Sequence, residues 1–340
     1  MKIGILGIGG IGGLIGAHLE LAQHDVTLMD LWPTNVDLIK TNGLKVTSPG
    51  RQFTVKPKIL HLSELSTIYT NFDCVFMAVK SYDTLWATTF IKPYLAINGF
   101  IVSAQNSINE DAIASIVGWS KIIGCVVTLS AAMYKPAQVI RTSDYDKHAF
   151  TLGEPDGSET RRLKNMCNTM SDVGISKITT NLLGERWSKL AINCMSNALA
   201  GITGLKSAEL RENSKTRRVM IQISAEVVNV ATTLGVPLET ISGASPQTFI
   251  EALNNKNTMV KLDKILIESG SKIGTGRPSL AQDLMKSRRT EIDHLNGYVS
   301  QKGKELGVPT PINDEIVKIA KLVETKQITS KLSNINKIVP

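Results

Sequence analysis

Short apolar runs alternate with helix-spaced stretches through the first 180 or so residues. "KIGILG" (2–7) is continuously apolar, as expected of a strand covered on both faces. A helical pattern follows from Gly10 to about Gln23, and "DVTLMD" (25–30) reads as the second strand. "NFDCVFMAVK" (71–80), "GFIVSAQN" (99–106) and "KIIGCVVTLS" (121–130) supply further strands, with helices over "SYDTLWATTFI" and "NEDAIASIV" between them. That rhythm predicts an α/β fold with a doubly wound parallel sheet. "KVTSPG" (45–50) and "RQFTVKPKIL" (51–60) predict short strands at one edge. "QVIRT" (138–142) and "KHAFTLG" (147–153) predict a small antiparallel extension, and "ISKITT" (175–180) a last strand.

After residue 181 the strand-like runs fade. Helical periodicity covers 182–202, 213–234, 246–268, 280–306 and 312–324. "GVP" at 235, "GTGRPS" at 274 and "GVPTP" at 307 break it. The second half is therefore expected to be all-helical.

Composition narrows the function classes. Hydrophobic residues make up 42% and charged residues 20%, the balance of a globular protein with real cores. The net charge is +8 but the basic residues are scattered, and only 5% of the chain is aromatic. Stacking platforms for bases are not evident, so a solvated surface or attraction to small anions is favoured over nucleic acid. Cys74, Cys125, Cys167 and Cys194 are far apart and form no C-x-x-C pair, which reads as buried thiols of a reducing compartment. The five histidines lack metal-ligand spacing, no G-x-S-x-G elbow occurs, and no apolar run reaches membrane-spanning length. With no signal-peptide layout at the start, the expected location is cytoplasmic.

"GIGGIG" (7–12) is a G-x-G-x-x-G turn between a strand and a helix, the context that gives this otherwise weak pattern meaning. Gly7 permits the tight turn, Gly9 lets backbone approach a pyrophosphate and Gly12 allows close helix–strand packing. With Ile8, Gly10 and Ile11 they would present free N–H groups to the phosphates of a dinucleotide. Residues 1–181 are accordingly expected to form a Rossmann dinucleotide-binding domain. Asp30 ends the second strand near the spacing at which an acid receives the adenine ribose, although it also reads as a turn or capping acid. A 2′-phosphate would meet its carboxylate, and Leu31, Trp32 and Pro33 offer no arginine. NADH is favoured, while Lys40 and Lys45 leave NADPH open.

In "ERWSKLAINCMSNALA" (185–200), Lys189, Asn193 and Asn197 recur at i, i+4, i+8 and make one polar stripe on an otherwise apolar helix. Asparagine is a poor interior helix residue, and buried polar groups need partners. A bound polar substrate would be one. A partly desolvated lysine has a lowered pKa and suits proton transfer beside a nicotinamide. A second cluster, Ser279 with Glu291, Asp293 and Asn296, lies in "GRPSLAQDLMKSRRTEIDHLNG" (276–297), and also reads as a surface charge cluster.

These stretches, with "VKSYDT" (79–84), "QN" (105–106) and "GVPTPIN" (307–313), together resemble the ketopantoate reductase (2-dehydropantoate 2-reductase) family from the N-terminus to about residue 325. The resemblance implies a Rossmann domain and a helical domain (182–340) for substrate and dimerisation, with the site in the cleft. It implies Lys189 as general acid, with Glu291 an acid at the active site touching cofactor or substrate. Asn193, Asn197 and Ser279 would bind substrate, and Lys80 and Asn106 would lie near the nicotinamide and ribose, Asn106 also near the substrate. NADPH-using members carry an arginine where this chain has Asp30 and Leu31; their "QNG" is "QNS" here, with Ser107; and a further substrate asparagine is Ser207. The expectation is an NAD(P)H-dependent reductase of a 2-oxo acid, ketopantoate first, with no metal and a small-molecule substrate. The alternatives are an NAD-dependent D-2-hydroxyacid dehydrogenase and a non-catalytic dinucleotide sensor. A homodimer follows by fold analogy alone.

Overall fold

The strand-and-helix alternation folds into two sheets in the computed structural model, which describes residues 1–69, 71–271 and 277–338. The chain divides into two compact units, residues 1–182 and 183–340. The first runs β1 (Lys2–Leu6), α1 (Gly10–Leu21), β2 (Asp25–Asp30), α2 (Pro33–Asn42), β3 (Leu44–Ser48), β4 (Arg51–Val55), β5 (Lys58–His61), β6 (Phe72–Met77), α3 (Thr84–Ile91), β7 (Leu95–Ser103), α4 (Glu110–Val117), β8 (Ile122–Val127), β9 (Ala131–Lys135), β10 (Gln138–Arg141), β11 (His148–Gly153), α5 (Arg161–Ser171) and β12 (Ile175–Ile178). Eight strands lie in the order β12-β11-β8-β7-β6-β1-β2-β5. Every neighbouring pair is parallel except β8 and β11.

Period-two alternation explains why the strands read as unbroken apolar runs. Ile3 and Ile5 of β1 pack with Cys74 and Phe76 of β6 on one face, together with Leu14, Ile15 and Leu19 of α1. Leu6, Val75 and Met77 pack on the other face with Ala87 and Ile91 of α3 and Ile113 of α4. Both faces are covered by helices, the doubly wound arrangement. Each of the larger aliphatic and aromatic side chains contributes about 1.5–3 kcal/mol on burial.

The edge strands depart from expectation. β3 and β4 do not extend the main sheet; they form a separate four-stranded sheet, β4-β3-β10-β9. Only the end of the predicted 51–60 run, β5, joins the main sheet, beside β2. "QVIRT" and "KHAFTLG" do not pair with each other. β10 lies parallel to β3 and antiparallel to β9, whereas β11 runs antiparallel to β8 in the main sheet. β3–β4 and β9–β10 are tight hairpins, but β3 meets β10 across some 90 residues, a pairing that local periodicity could not assign.

The second unit is helical: α6 (Leu182–Asn193), a π-helical turn (Cys194–Ala198), α7 (Leu199–Thr203), α8 (Ser207–Glu212), α9 (Ser214–Thr233), α10 (Pro246–Ala252), α11 (Lys256–Ser271), α12 (Ser279–Met285), α13 (Asn296–Leu306) and α14 (Pro311–Glu324). The expected helix 246–268 is two helices, and 280–306 is α12 and α13 with a 3₁₀ turn (Ile292–His294) between them. All four cysteines are buried and free. Among the described residues no helix is long and apolar enough to cross a membrane, and no group of three or more His, Cys, Asp or Glu is gathered to hold a metal ion.

Candidate active site

In the first unit β1 lies between β2 and β6, so the chain leaves it in both directions across the sheet. In open α/β sheets ligands bind outside the carboxyl ends of strands at such a switch point. The glycine turn follows β1, Asp30 ends β2, Lys80 follows β6 and Asn106 follows β7. Topology thus brings all the sequence-derived residues of this unit to one sheet edge.

Three glycines of the turn are required by the protein itself. Gly7 has φ +95°, and a Cβ there would lie 2.8 Å from the Val79 nitrogen. A Cβ at Gly12 would sit 2.1 Å from the Gly7 oxygen, and one at Gly10 would sit 2.7 Å from the Ala131 oxygen. Gly9 differs. Its φ of −89° is open to any residue, and a Cβ would meet nothing within 4 Å. It is the N-cap of α1, no side chain caps that end, and the first turn holds no acid. Ile8 is buried in the core and Ile11 packs against it.

Asp30 is tied into this turn by a residue the sequence reading passed over. Its Oδ1 accepts from the Leu31 nitrogen at 2.8 Å, and its Oδ2 accepts from Asn35 Nδ2 at 2.8 Å. Asn35 also donates to the Ile8 oxygen at 3.1 Å, and its Oδ1 accepts from the Ala137 nitrogen at 2.8 Å. It sits fully buried in α2, a helix with Pro33 in its first turn and only weak apolar spacing.

The loops bearing Lys80 and Asn106 are joined by buried polar side chains. Gln105 donates to the Val79 oxygen at 3.0 Å and to Thr84 Oγ1 at 2.8 Å. Asn109 donates to the Asn106 oxygen at 2.7 Å, and Ser81 Oγ donates to the same oxygen at 3.2 Å. Ser107 holds φ +69°. That left-handed conformation costs a non-glycine residue of order 1 kcal/mol.

In the second unit the polar stripe crosses the π turn. Lys189 is half-buried in α6, and its pKa is pushed below the ordinary lysine value by loss of solvation. Asn193 and Asn197 are buried. Asn197 Nδ2 donates to Ser279 Oγ at 3.4 Å, which brings together two residues 82 positions apart. A π turn frees backbone groups from the regular ladder and recurs at functional sites. Here the Cys194 carbonyl accepts from Asn296 Nδ2 at 3.4 Å, and Arg211 donates to Ser196 Oγ at 3.3 Å. Glu291 is buried just before the 3₁₀ turn, and its carbonyl accepts from the His294 and Leu295 nitrogens. Burial lowers the His294 pKa, and the Glu291 charge partly offsets that.

Comparison with known proteins agrees across both units. The family profile "Ketopantoate reductase PanE/ApbA" matches residues 3–157, and "Ketopantoate reductase PanE/ApbA C terminal" matches residues 181–324. The 2-dehydropantoate 2-reductase of Aquifex aeolicus (strain VF5) is 28% identical over 330 residues, 95% of this chain and 97% of that one. The enzyme of the same name from Lactococcus lactis subsp. lactis (strain IL1403) is 27% identical, over 94% of this chain and 96% of its own. Among solved structures, a PanE/ApbA family ketopantoate reductase from Ralstonia eutropha JMP134 superposes with a TM-score of 0.79 at 28% identity, covering 96% of this chain and 99% of that one. D-mandelate dehydrogenase with NADH and anilino(oxo)acetate shares the fold, with a TM-score of 0.81 at 24% identity over the same fractions.

Proposed function

The chain belongs to the ketopantoate reductase family, an NAD(P)-dependent group of oxidoreductases, and from that premise we propose that it reduces the C2 carbonyl of a 2-oxo acid, ketopantoate first, with NADH favoured over NADPH. The observation that carries this proposal is Lys189, a desolvated lysine on a stripe whose asparagines are buried and whose Asn197 is held to Ser279.

The nicotinamide cofactor, when bound, supplies the hydride. Gly9 fits this role because neither its backbone angle nor its packing calls for glycine, so the demand for a bare backbone there comes from outside the chain. Gly7, Ile8, Gly10, Ile11 and Gly12 complete the uncapped helix start, whose N–H groups suit a pyrophosphate. Asp30 accepts from ribose hydroxyls and repels a 2′-phosphate. Lys80 and Asn106 hold the nicotinamide end, and Glu291 contacts cofactor or substrate. Lys189 donates its proton to the oxygen of the carbonyl as negative charge develops there, and its lowered pKa eases that transfer. Asn193, Asn197 and Ser279 orient the substrate, with Asn106 beside it.

A second substrate choice is favoured by Asp30 and by Ser207, which stands where the family pattern has an asparagine: a 2-oxo acid other than ketopantoate, reduced with NADH to a D-2-hydroxy acid. The deciding experiment is initial-rate assay of the pure protein with NADH and NADPH against a panel of 2-oxo acids. Turnover with NADH is expected. Tight NADH binding without turnover of any 2-oxo acid would replace the enzyme with a dinucleotide sensor.

A further inference from the structure

Arg211 in α8 is only 2% exposed, yet it bonds no carboxylate among the described residues. Its Nε donates to Ser269 Oγ at 3.2 Å, one terminal nitrogen to the Ser207 oxygen at 3.1 Å, and the other to Ser196 Oγ at 3.3 Å. All three acceptors are neutral. Gly270 makes room for its stem, because a Cβ there would lie 3.0 Å from Arg211 Cβ and Cδ. Arg217, six residues on and also buried, has Asp263 as partner at 2.8 Å. A buried cation without a counter-charge is costly to keep. Burial alone lowers the Arg211 pKa, to about 10, which leaves it charged at neutral pH.

Its partners place that charge. Ser196 belongs to the π turn and immediately precedes Asn197, whose side chain meets Ser279. Ser207 opens α8. In a poorly solvated interior a unit charge acts over several ångströms with an energy of roughly kcal/mol size. A 2-oxo acid carries one negative charge on the group next to its reacting carbonyl.

We propose that Arg211 makes this unit selective for carboxylate-bearing substrates: its guanidinium holds the π turn through Ser196 and supplies the positive potential that an anionic substrate meets at Asn197 and Ser279. Arg211 is a positioning residue, acting through the turn and through its field. The inference rests on the 2-oxo acid activity proposed above.

The test compares the best 2-oxo acid of the panel with its own primary amide, which keeps the carbonyl and loses the charge. In Arg211→Met, KM for the acid is expected to rise about tenfold or more while kcat changes little, and the kcat/KM preference for acid over amide falls about tenfold. Arg211→Lys keeps a charge and is expected to hold that preference within about threefold of the parent protein. Equal losses for acid and amide in Arg211→Met would reduce Arg211 to a packing role and overturn the inference. If the methionine variant does not fold, Arg211→Lys is read alone against the parent, and loss of the preference there overturns the inference. A parent protein that turns over no 2-oxo acid removes the underlying activity, a result distinct from unaltered preference in active variants, and the inference falls with it.

Discussion

Lys189 shows what one residue's surroundings do to its chemistry. Its pKa is lowered by desolvation, so proton donation needs less driving force than from a surface lysine. Lys189→Ala is expected to cut turnover by roughly 10²–10⁴-fold with NADH affinity nearly unchanged, the range for losing a general acid. Stopped-flow turnover and fluorescence titration of NADH check the two halves of that statement. The pH dependence has a defined sign. For Lys189 as the proposed acid the donating form is the protonated one, so reduction is expected to fall as pH rises through the lowered pKa, below the pH at which an ordinary lysine titrates. The polar stripe itself, with Asn193 and Asn197 buried, was legible because lysine and asparagine stand out on an apolar helix. Asn35 was not, because one asparagine in the weakly patterned "PTNVDLIKTN" carries no sign that its amide reaches Asp30, Ile8 and Ala137.

At the scale of elements, the π turn is the feature that periodicity missed. The stretch 182–202 reads as one regular helix, and its spacing sets Asn193 and Asn197 on a common stripe with Lys189. The wider turn at Cys194–Ala198 interrupts that regular spacing before Asn197, and the carbonyl of its first residue, Cys194, accepts from Asn296. No residue preference announces such a turn, and the side chain that bonds its first carbonyl, Asn296, lies more than 100 positions away in sequence. Asn296→Ala removes both that bond and the 2.9 Å bond to Asn313 Oδ1. Loss of about 1–3 kcal/mol of stability is expected from leaving buried groups unpaired, with a raised KM for the 2-oxo acid and no change in NADH binding. Thermal melts and steady-state kinetics measure this; an unchanged KM in a destabilised variant would separate the turn from substrate binding.

For the whole molecule, the change from alternating strands and helices to helices alone was the most legible feature. The switch from β–α alternation to helical spacing after residue 181 matches within one residue where the chain divides into compact units. The four-stranded sheet was illegible, since β3 finds β10 some 90 residues later through segments of five and four residues. The proposed roles of the units predict a hydrogen-exchange pattern. NADH alone, at about 100 times its Kd, stabilises what it binds by about 2.7 kcal/mol. Slowed exchange is expected at Gly9–Gly12 and along β1, β2 and β6, with substrate analogue needed before the 189–198 amides follow. Protection appearing first in the helical unit would reverse the assignment.

The bond between Asp30 and Asn35 bears on how such a chain could change coenzyme over evolutionary time. The carboxylate that would exclude a phosphorylated ribose also anchors the amide that secures the Ile8 carbonyl and the Ala137 nitrogen. Replacing the acid would loosen that anchorage at the same stroke. A lineage shifting its preference would therefore pass through a weakened intermediate unless position 35 changed as well, and paired substitution at 30 and 35 is the signature such a history would leave.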